Sequence, residues 1–248
     1  MGTQWLRGYN DYFVTVNEFK RILDELYKNN YILIDMNELF QINEDQSISR
    51  KKLTLPEGKK PLILSVDDMN YYEYMRKNGN VYKLILDENE NIAAYARNPD
   101  DEDVLSYDQA IVPILNQFVE DHPDFSFKGA KGLIALTGYE GVLGYRTNEV
   151  DSPAYHQEKA DALKVIRRLK ETGWTFASHG WGHLDANKVS YQRLVLDTKR
   201  WKQEVESLIG PTSVYIYPYG SRPDTGGDKF TYLIESGFHV ICSVGPAP

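Results

Sequence analysis

Residues 170–183, KETGWTFASHGWGH, contain a helix end, a glycine, a short apolar strand and two histidines. The same joint occurs in YKNNYILI at 27–34 and in IESGFHVI at 234–241. Each time the helix ends at Asn or Gly, residue types that tolerate the left-handed conformation after a helix, and an aromatic residue opens the strand. The three joints predict repeated helix-to-strand units.

Strands and helices alternate along most of the chain. The strand-length apolar runs are PLILSV (61–66), KGLIALT (131–137), WTFAS (174–178), SVYIY (213–217) and FHVICSV (238–244). Helical patterns cover 15–30, with a Thr15–Glu18 capping box, and then 107–120, 154–171 and 191–208. This order predicts an α/β fold with a mainly parallel sheet, either open and doubly wound or closed into a barrel. Functional residues should follow the C-terminal strand ends.

We predict one domain over residues 1–248, because no Pro/Ser-rich linker divides the chain. Residues 1–55 form an N-terminal extension with a helix and a strand. Calcium binding is conceivable in the acidic stretch DENENIAAYARNPDDED (87–103), but the stretch lacks EF-hand spacing, and we predict a solvated loop.

Composition limits the function classes. The net charge of −8 and the pI of about 5.2 disfavour nucleic acid as a partner, and a neutral or cationic substrate fits better. The single cysteine, Cys242, excludes an intrachain disulfide and a thiolate metal cluster, and we expect it to be a small buried hydrophobe. The chain has no apolar run of spanning length, and MGTQWLRGYN has no signal-peptide core, so neither a transmembrane segment nor a signal peptide is predicted in it.

Two aspartates, Asp67 and Asp68, directly follow the strand 61–66. Adjacent carboxylates repel each other, and desolvation raises that cost. A divalent cation removes the conflict, with one carboxylate as ligand and the other free to accept a proton. The alternative is a turn in which one aspartate caps the next segment.

His179 and His183 follow the strand 174–178. Gly180 and Gly182 disfavour the helix that a zinc-protease HExxH motif needs, so the pair must converge through a loop. Two imidazoles and one carboxylate form a common zinc set with an open coordination position. Alone the histidines would be turn residues, but the aspartates at another strand end favour a metal site.

SVDDM, SHGWGH and YPYG, in this order and each after a strand, resemble the motifs of the polysaccharide deacetylase (NodB-homology) family of carbohydrate esterases. The resemblance covers about residues 60–245 and implies a distorted (β/α)7 barrel with a zinc-type ion at its mouth. It implies that Asp68, His179 and His183 ligate this ion. Asp67 would be the general base, and the Tyr219 amide would help to hold the oxyanion.

The chain departs from the family pattern at three positions. Met69 replaces a Gly, Gly180 replaces a Ser or Thr that braces the histidine loop, and Ile216 replaces an Arg that orients the base. Arg146 or Arg222 could substitute for this Arg, and we favour Arg146 because its loop follows a core strand.

The family's late Leu-x-His motif, which supplies the general acid, is missing before the chain ends at CSVGPAP. Either the chain is truncated at its C-terminus or another group donates the proton, and we favour truncation. His239 is expected to be a strand residue, and His122 and His156 surface residues. Tyr71, Tyr72 and Trp181 are candidate substrate-binding residues, because aromatic rings near the site offer faces on which sugars stack. Pro218, in the YPYG motif, is a further candidate. Wall packing is the alternative.

The resemblance implies a metal-dependent hydrolase that removes acetyl groups from an N-acetylated glycan, with zinc as the expected metal. Two alternatives are a glycan-binding relative without catalysis and a hydrolase of the same fold acting on a non-sugar amide. The resemblance also implies export or a cell-surface location. Sugar polymer and oligomeric state are left open.

Overall fold

A computed structural model describes residues 13–245. The N-terminal MGTQWLRGYN and the final three residues lie outside this range, so the expectations that concern them stay predictions. In the N-terminal part, the predicted capping box is confirmed: the Glu18 amide donates to Thr15 Oγ1 (3.2 Å) and the Thr15 amide donates to Glu18 Oε2 (2.8 Å). This cap starts the first helix at Val16.

The described elements follow each other with short connections. The strands are β1 (Tyr31–Leu33), β2 (Phe40–Ile42), β3 (Ile48–Arg50), β4 (Lys60–Leu62), β5 (Ser65–Asp67), β6 (Lys83–Leu86), β7 (Ile92–Arg97), β8 (Asp103–Ser106), β9 (Leu133–Leu136), β10 (Thr175–Ser178), β11 (Val214–Ile216) and β12 (Val240–Cys242). The α-helices are α1 (Val16–Lys28), α2 (Glu73–Lys77), α3 (Ile111–Asp121), α4 (Tyr155–Glu171), α5 (Tyr191–Trp201), α6 (Ser207–Ile209) and α7 (Asp228–Glu235). A π-helical turn, Lys202–Glu206, joins α5 to α6.

The main sheet is parallel, with the strand order β12-β11-β10-β9-β5, and β1 and β4 form a second parallel pair. Since β4 and β5 are successive pieces of one extended run, the two sheets continue each other as a curled half-barrel. The prediction of a single strand over residues 61–66 is therefore wrong in detail. Its first part pairs with β1, and its last part pairs with β9, so the run breaks at 63–64.

Side chains that alternate along the strands build two apolar layers. Ile134, Leu136 and Phe176 join the large core under the helices, which also contains Val165 and Trp201. The opposite face carries four small or aliphatic side chains, packed against Met36, Phe40 and the half-buried Cys242: Leu133, Ala135, Ala177 and Val214. The sheet is therefore buried on both faces, as expected for parallel strands.

The joints predicted from the Asn/Gly pattern are confirmed. Asn30, Gly173 and Gly237 have φ angles of 63°, 95° and 95°, which is the left-handed region. Each joint directs a helix end back towards the next strand of the sheet, so the repeated sequence pattern sets the βα layout.

The prediction of a loop at 87–103 is wrong. Strand β7 runs through this stretch as the centre of an antiparallel sheet, β6-β7-β8, and Ile92, Ala93 and Ala94 are buried. The acidic residues occupy the two turns that flank β7, and their density in the sequence obscures the short apolar run between them. Because β8 extends to Ser106, helix α3 starts at Ile111 rather than at 107.

No helix within residues 13–245 combines the length and the apolar character that crossing a bilayer requires.

Candidate metal and catalytic site

Three loops with predicted site residues leave the same edge of the parallel sheet. Asp67 ends β5, and the Asp68 amide donates to the Ala135 carbonyl (3.2 Å) before a φ of 56° turns the chain away. The His179 amide donates to the Leu136 carbonyl (3.0 Å), directly after β10. The turn Pro218–Gly220 follows β11. We call residues 67–72 the aspartate loop and residues 179–183 the histidine loop.

Asp68, His179 and His183 form a group whose potential ligand atoms all lie within 4.8 Å of one another. His183 Nε2 lies 3.3 Å from Asp68 Oδ2. The centroids of the two imidazole rings are 5.0 Å apart. This is the donor set that the sequence predicted, assembled by two separate loops.

His179 is prepared to act as a ligand through one nitrogen. Its ring is buried, and Nδ1 donates to the carbonyl of Ile216 at 2.8 Å. This bond places the proton on Nδ1 and leaves the Nε2 lone pair for an ion. Burial lowers the pKa of His179, against the opposing charges of Asp67 and Asp68. The Ile216 side chain departs from the family pattern, but its backbone orients a predicted ligand.

The two aspartates have pKa values shifted in opposite directions. Burial works against ionisation of Asp68, but the hydrogen bond and charge of His183, helped by His179 and Tyr72, outweigh it and lower the pKa. For Asp67, desolvation raises the pKa and the charge of Asp68 adds to this, while the histidines oppose it. Asp67 Oδ2 lies 3.9 Å from His179 Nε2. Environments that separate two neighbouring carboxyl groups in this way favour a ligand and a proton acceptor.

Tyr72 lies beneath the site rather than on its wall. It is only 3% exposed, and its hydroxyl donates to Asp68 Oδ1 (2.7 Å) and contacts Thr137 Oγ1 (2.6 Å). The ring stacks on Tyr139, at a centroid distance of 4.7 Å. In this position Tyr72 orients Asp68, whereas the sequence predicted that it binds substrate.

Arg146 holds the aspartate loop from behind. Nη1 donates to the carbonyls of Glu140 (2.7 Å) and Asn70 (3.3 Å), and Nη2 donates to that of Tyr71 (3.0 Å). The side chain is 15% exposed and lies 3.6 Å from a Glu140 carboxylate oxygen. The sequence predicts that Arg146 orients Asp67. In the structure the guanidinium instead bonds the backbone of Asn70 and Tyr71, which follow Asp67 in the aspartate loop. Arg222, the alternative, is exposed.

Asn70 and Met69 fix the same loop from inside the protein. The Asn70 amide group donates to the carbonyls of Thr137 (2.9 Å) and Gly141, and the residue is fully buried. Met69, which replaces the family's glycine, is 6% exposed and belongs to the main core. Its thioether side chain therefore anchors the turn where a glycine would only permit it.

Asp197 on helix α5 holds the histidine loop. Its Oδ2 accepts from the Trp181 amide and its Oδ1 from the Gly182 amide, both at 2.8 Å. Gly180 has a φ of 68°, and a Cβ there would lie 3.0 Å from Asp197 Oδ2. The absence of the family's Ser or Thr at position 180 is thus matched by a carboxylate that binds the loop from the helix.

The remaining candidate substrate-binding residues lie in different environments. Tyr71 is half-buried, and Pro218 is buried. Trp181 is half-buried, with the Arg200 guanidinium 3.5 Å from its ring centroid and its indole donating to Glu204 (2.7 Å), so one face is covered. Tyr219 is 70% exposed, and its ring centroid lies 4.6 Å from that of His183.

The other histidines lie as the sequence suggested or nearly so. His156 is exposed on α4, and His239 is half-buried just before β12. His122 is half-buried and stacks on Phe118, with a centroid distance of 4.5 Å.

Sequence reasoning missed Asp197 and Asn70. Asp197 carried one signal: it lies in the helical repeat of apolar residues that includes Leu194 and Trp201, where a carboxylate is buried only with partners. Asn70 carried none, because its partners are backbone carbonyls from a loop about 70 residues further along the chain.

Similar proteins are found among known families and among solved structures. A family model described as polysaccharide deacetylase matches residues 147–231. The predicted resemblance to polysaccharide deacetylases is confirmed. Among solved structures, a Bacillus anthracis protein assigned to the polysaccharide deacetylases matches with a TM-score of 0.50 and 15% identity, over 95% of this chain. The α/β deacetylase-type fold predicted from the sequence is confirmed, with the described strands forming its curled half-barrel.

Two further structures are similar. The Streptococcus pyogenes deacetylase PplD, solved in complex with acetate, has a TM-score of 0.48 and 14% identity, covering 91% of this chain and 71% of that one. A Bacillus cereus polysaccharide deacetylase has a TM-score of 0.48 and 15% identity, covering 95% of this chain and 52% of that one. The chain likewise spans only 52% of the B. anthracis deacetylase. No curated protein matches this sequence.

Proposed function

We propose that the protein is a metal-dependent hydrolase that removes acetyl groups from N-acetylated amino sugars in a glycan. The observation that carries the proposal is the convergence of Asp68, His179 and His183, with Asp67 at their side. The family match over 147–231 supports a carbohydrate deacetylase as the class of enzyme. Export or a cell-surface location belongs to the same proposal and rests on the resemblance.

The donor set fits a zinc-type divalent ion, because two neutral imidazoles and one carboxylate leave coordination positions open. Such an ion, when bound, supplies Lewis acidity towards a water molecule and the acyl oxygen. Asp67 accepts the proton of the attacking water at a carboxylate oxygen and can return it to the leaving nitrogen. The backbone N–H of Tyr219 is the proposed donor to the oxyanion. The products are acetate and a free amine.

The experiment combines metal analysis with acetate release from chitin oligomers, peptidoglycan fragments and simple amides. We expect about one zinc-type ion per chain and turnover on an N-acetylated glycan. Asp67→Asn should keep the ion but lose roughly 10²–10⁴-fold of the rate, the usual contribution of a general base. His156→Ala, an exposed histidine on α4, is the matched control and should change neither quantity.

Four results would contradict the proposal or a part of it. A protein without metal would remove its basis. Glycan binding without acetate release would indicate a non-catalytic relative, and turnover of simple amides alone would indicate a non-sugar amidase. Full activity in Asp67→Asn would exclude Asp67 as the base.

A further inference from the structure

Asp197 is a buried carboxylate that takes no part in the proposed chemistry. It is 6% exposed, and both of its oxygens accept backbone N–H groups from the histidine loop. Burial raises its pKa, and the Gly182 and Trp181 amides oppose this shift. A carboxylate in such a position is costly unless it is bonded, so its two bonds need an explanation.

The bonded groups lie between the two predicted ligands. Trp181 and Gly182 are the second and third residues after His179, and His183 follows with a φ of 50°. Successive N–H groups after a left-handed residue form a concave anion site, and here the anion is the Asp197 side chain. The direction of the loop between the two imidazoles is therefore set by one carboxylate.

The helix that carries Asp197 is itself fixed to the sheet. One turn later, the Trp201 indole Nε1–H donates to the Leu136 carbonyl at 2.8 Å. The same carbonyl accepts the His179 amide at 3.0 Å. His179 and helix α5 are therefore both bonded to the Leu136 carbonyl oxygen. Asp197, on the same helix, bonds the loop that ends at His183.

We propose that Asp197 is a positioning residue, which holds His179 and His183 at the separation that a divalent ion requires. The inference rests on the proposed function, because it assigns Asp197 to the metal site of that function. Without the carboxylate, the two N–H groups lose their acceptor and the histidine loop loses the bonds that fix its shape. The structure predicts a loss of metal affinity that exceeds any loss of folding stability.

The test compares the unsubstituted chain with Asp197→Asn and Asp197→Glu. The dissociation constants for zinc and cobalt are measured by competition with a chromophoric chelator, and the urea midpoint is measured on metal-free protein. The cobalt absorption spectrum reports the ligand geometry. Asp197→Asn should weaken binding by about 10–100-fold, the usual effect of losing a group that orients a ligand, and change the cobalt spectrum. Asp197→Glu, which keeps the charge, should recover part of the affinity.

Glu204→Gln is the matched control, since Glu204 follows on the same helical segment and bonds the Trp181 indole rather than the loop backbone. It should leave the metal dissociation constant unchanged. An unchanged constant in Asp197→Asn, with metal bound normally by the unsubstituted chain, overturns the inference alone. A chain that binds no metal overturns the proposed function as well. If Asp197→Asn does not fold, Asp197→Glu decides: an affinity and a cobalt spectrum equal to those of the unsubstituted chain overturn the inference, and a reduced affinity in a folded protein supports it.

Discussion

The aspartate loop and the histidine loop bring their ligands to one place, but groups of opposite charge hold them. The aspartate loop turns the carbonyls of Asn70 and Tyr71 towards the Arg146 guanidinium. The histidine loop turns the amides of Trp181 and Gly182 towards the Asp197 carboxylate. In both cases a largely buried charged side chain bonds backbone groups of the loop that it fixes, and Arg146 also lies 3.6 Å from the Glu140 carboxylate.

The comparison of the two loops shows how a loop with unfavourable backbone angles can be held in place by a charge of either sign. Asp68 and Tyr71 have φ angles of 56° and 51°, and His183 has one of 50°, in the region that side chains disfavour. Such angles cost on the order of 1–3 kcal/mol each, so neighbouring bonds must offset them. A charged side chain that bonds several backbone groups provides this from one position.

Removing the Arg146 guanidinium should disrupt the aspartate loop and give the largest effect. Arg146→Met leaves three carbonyls without their donor, and we expect a decrease in the free energy of unfolding of about 3 kcal/mol, measured by urea denaturation of metal-free protein. Arg167→Met, an exposed arginine on α4, is the control and should change stability by less than about 0.5 kcal/mol. Equal midpoints for the two variants would show that the carbonyls find other donors.

Restoring the family's residue in the histidine loop should harm it. In Gly180→Ser, the new Cβ would lie 3.0 Å from Asp197 Oδ2 and 3.2 Å from the Tyr215 hydroxyl, at a φ of 68°. We expect the free energy of unfolding to decrease by about 2 kcal/mol and the metal dissociation constant to rise. The reason is that backbone strain at position 180 adds to the displacement of the Asp197 carboxylate. Gly79→Ser separates the two causes, since Gly79 has a φ of 83° and open space around its Cβ. A gain of metal affinity in Gly180→Ser would contradict the assignment of bracing to Asp197.

The smallest expected effect concerns the neutral group in the aspartate loop. Tyr72→Phe removes the hydroxyl between Asp68 and Thr137, at a cost of about 1 kcal/mol. The zinc dissociation constant should rise about 10-fold, because Asp68 loses the bond that orients it. Tyr107→Phe removes an exposed hydroxyl bonded to Asp87 and should leave zinc binding unaffected. Chelator competition on both variants gives the answer, and equal constants would restrict Tyr72 to packing.

The sequence was most informative where local chemistry decides the structure. Asn30 and Gly173 had to adopt a left-handed conformation, and the aspartates and histidines had to meet at the strand ends, so these features could be read from residue type and order. The groups that hold the loops could not be read in this way. Arg146 and Asn70 bond backbone carbonyls, which every residue carries, and so no pattern of residue types indicates the partners. The split of run 61–66 was hidden for a similar reason, since pairing partners on two sides decide it.

The break at residues 63–64 divides the extended segment 60–67 into two parts with different pairing partners. Residues 60–62 pair with β1 in the N-terminal part, whereas residues 65–67 pair with β9 and place Asp67 at one side of the main sheet. The position of the proposed base is therefore set by the pairing of β5 with β9, and not by the N-terminal strand that pairs with β4.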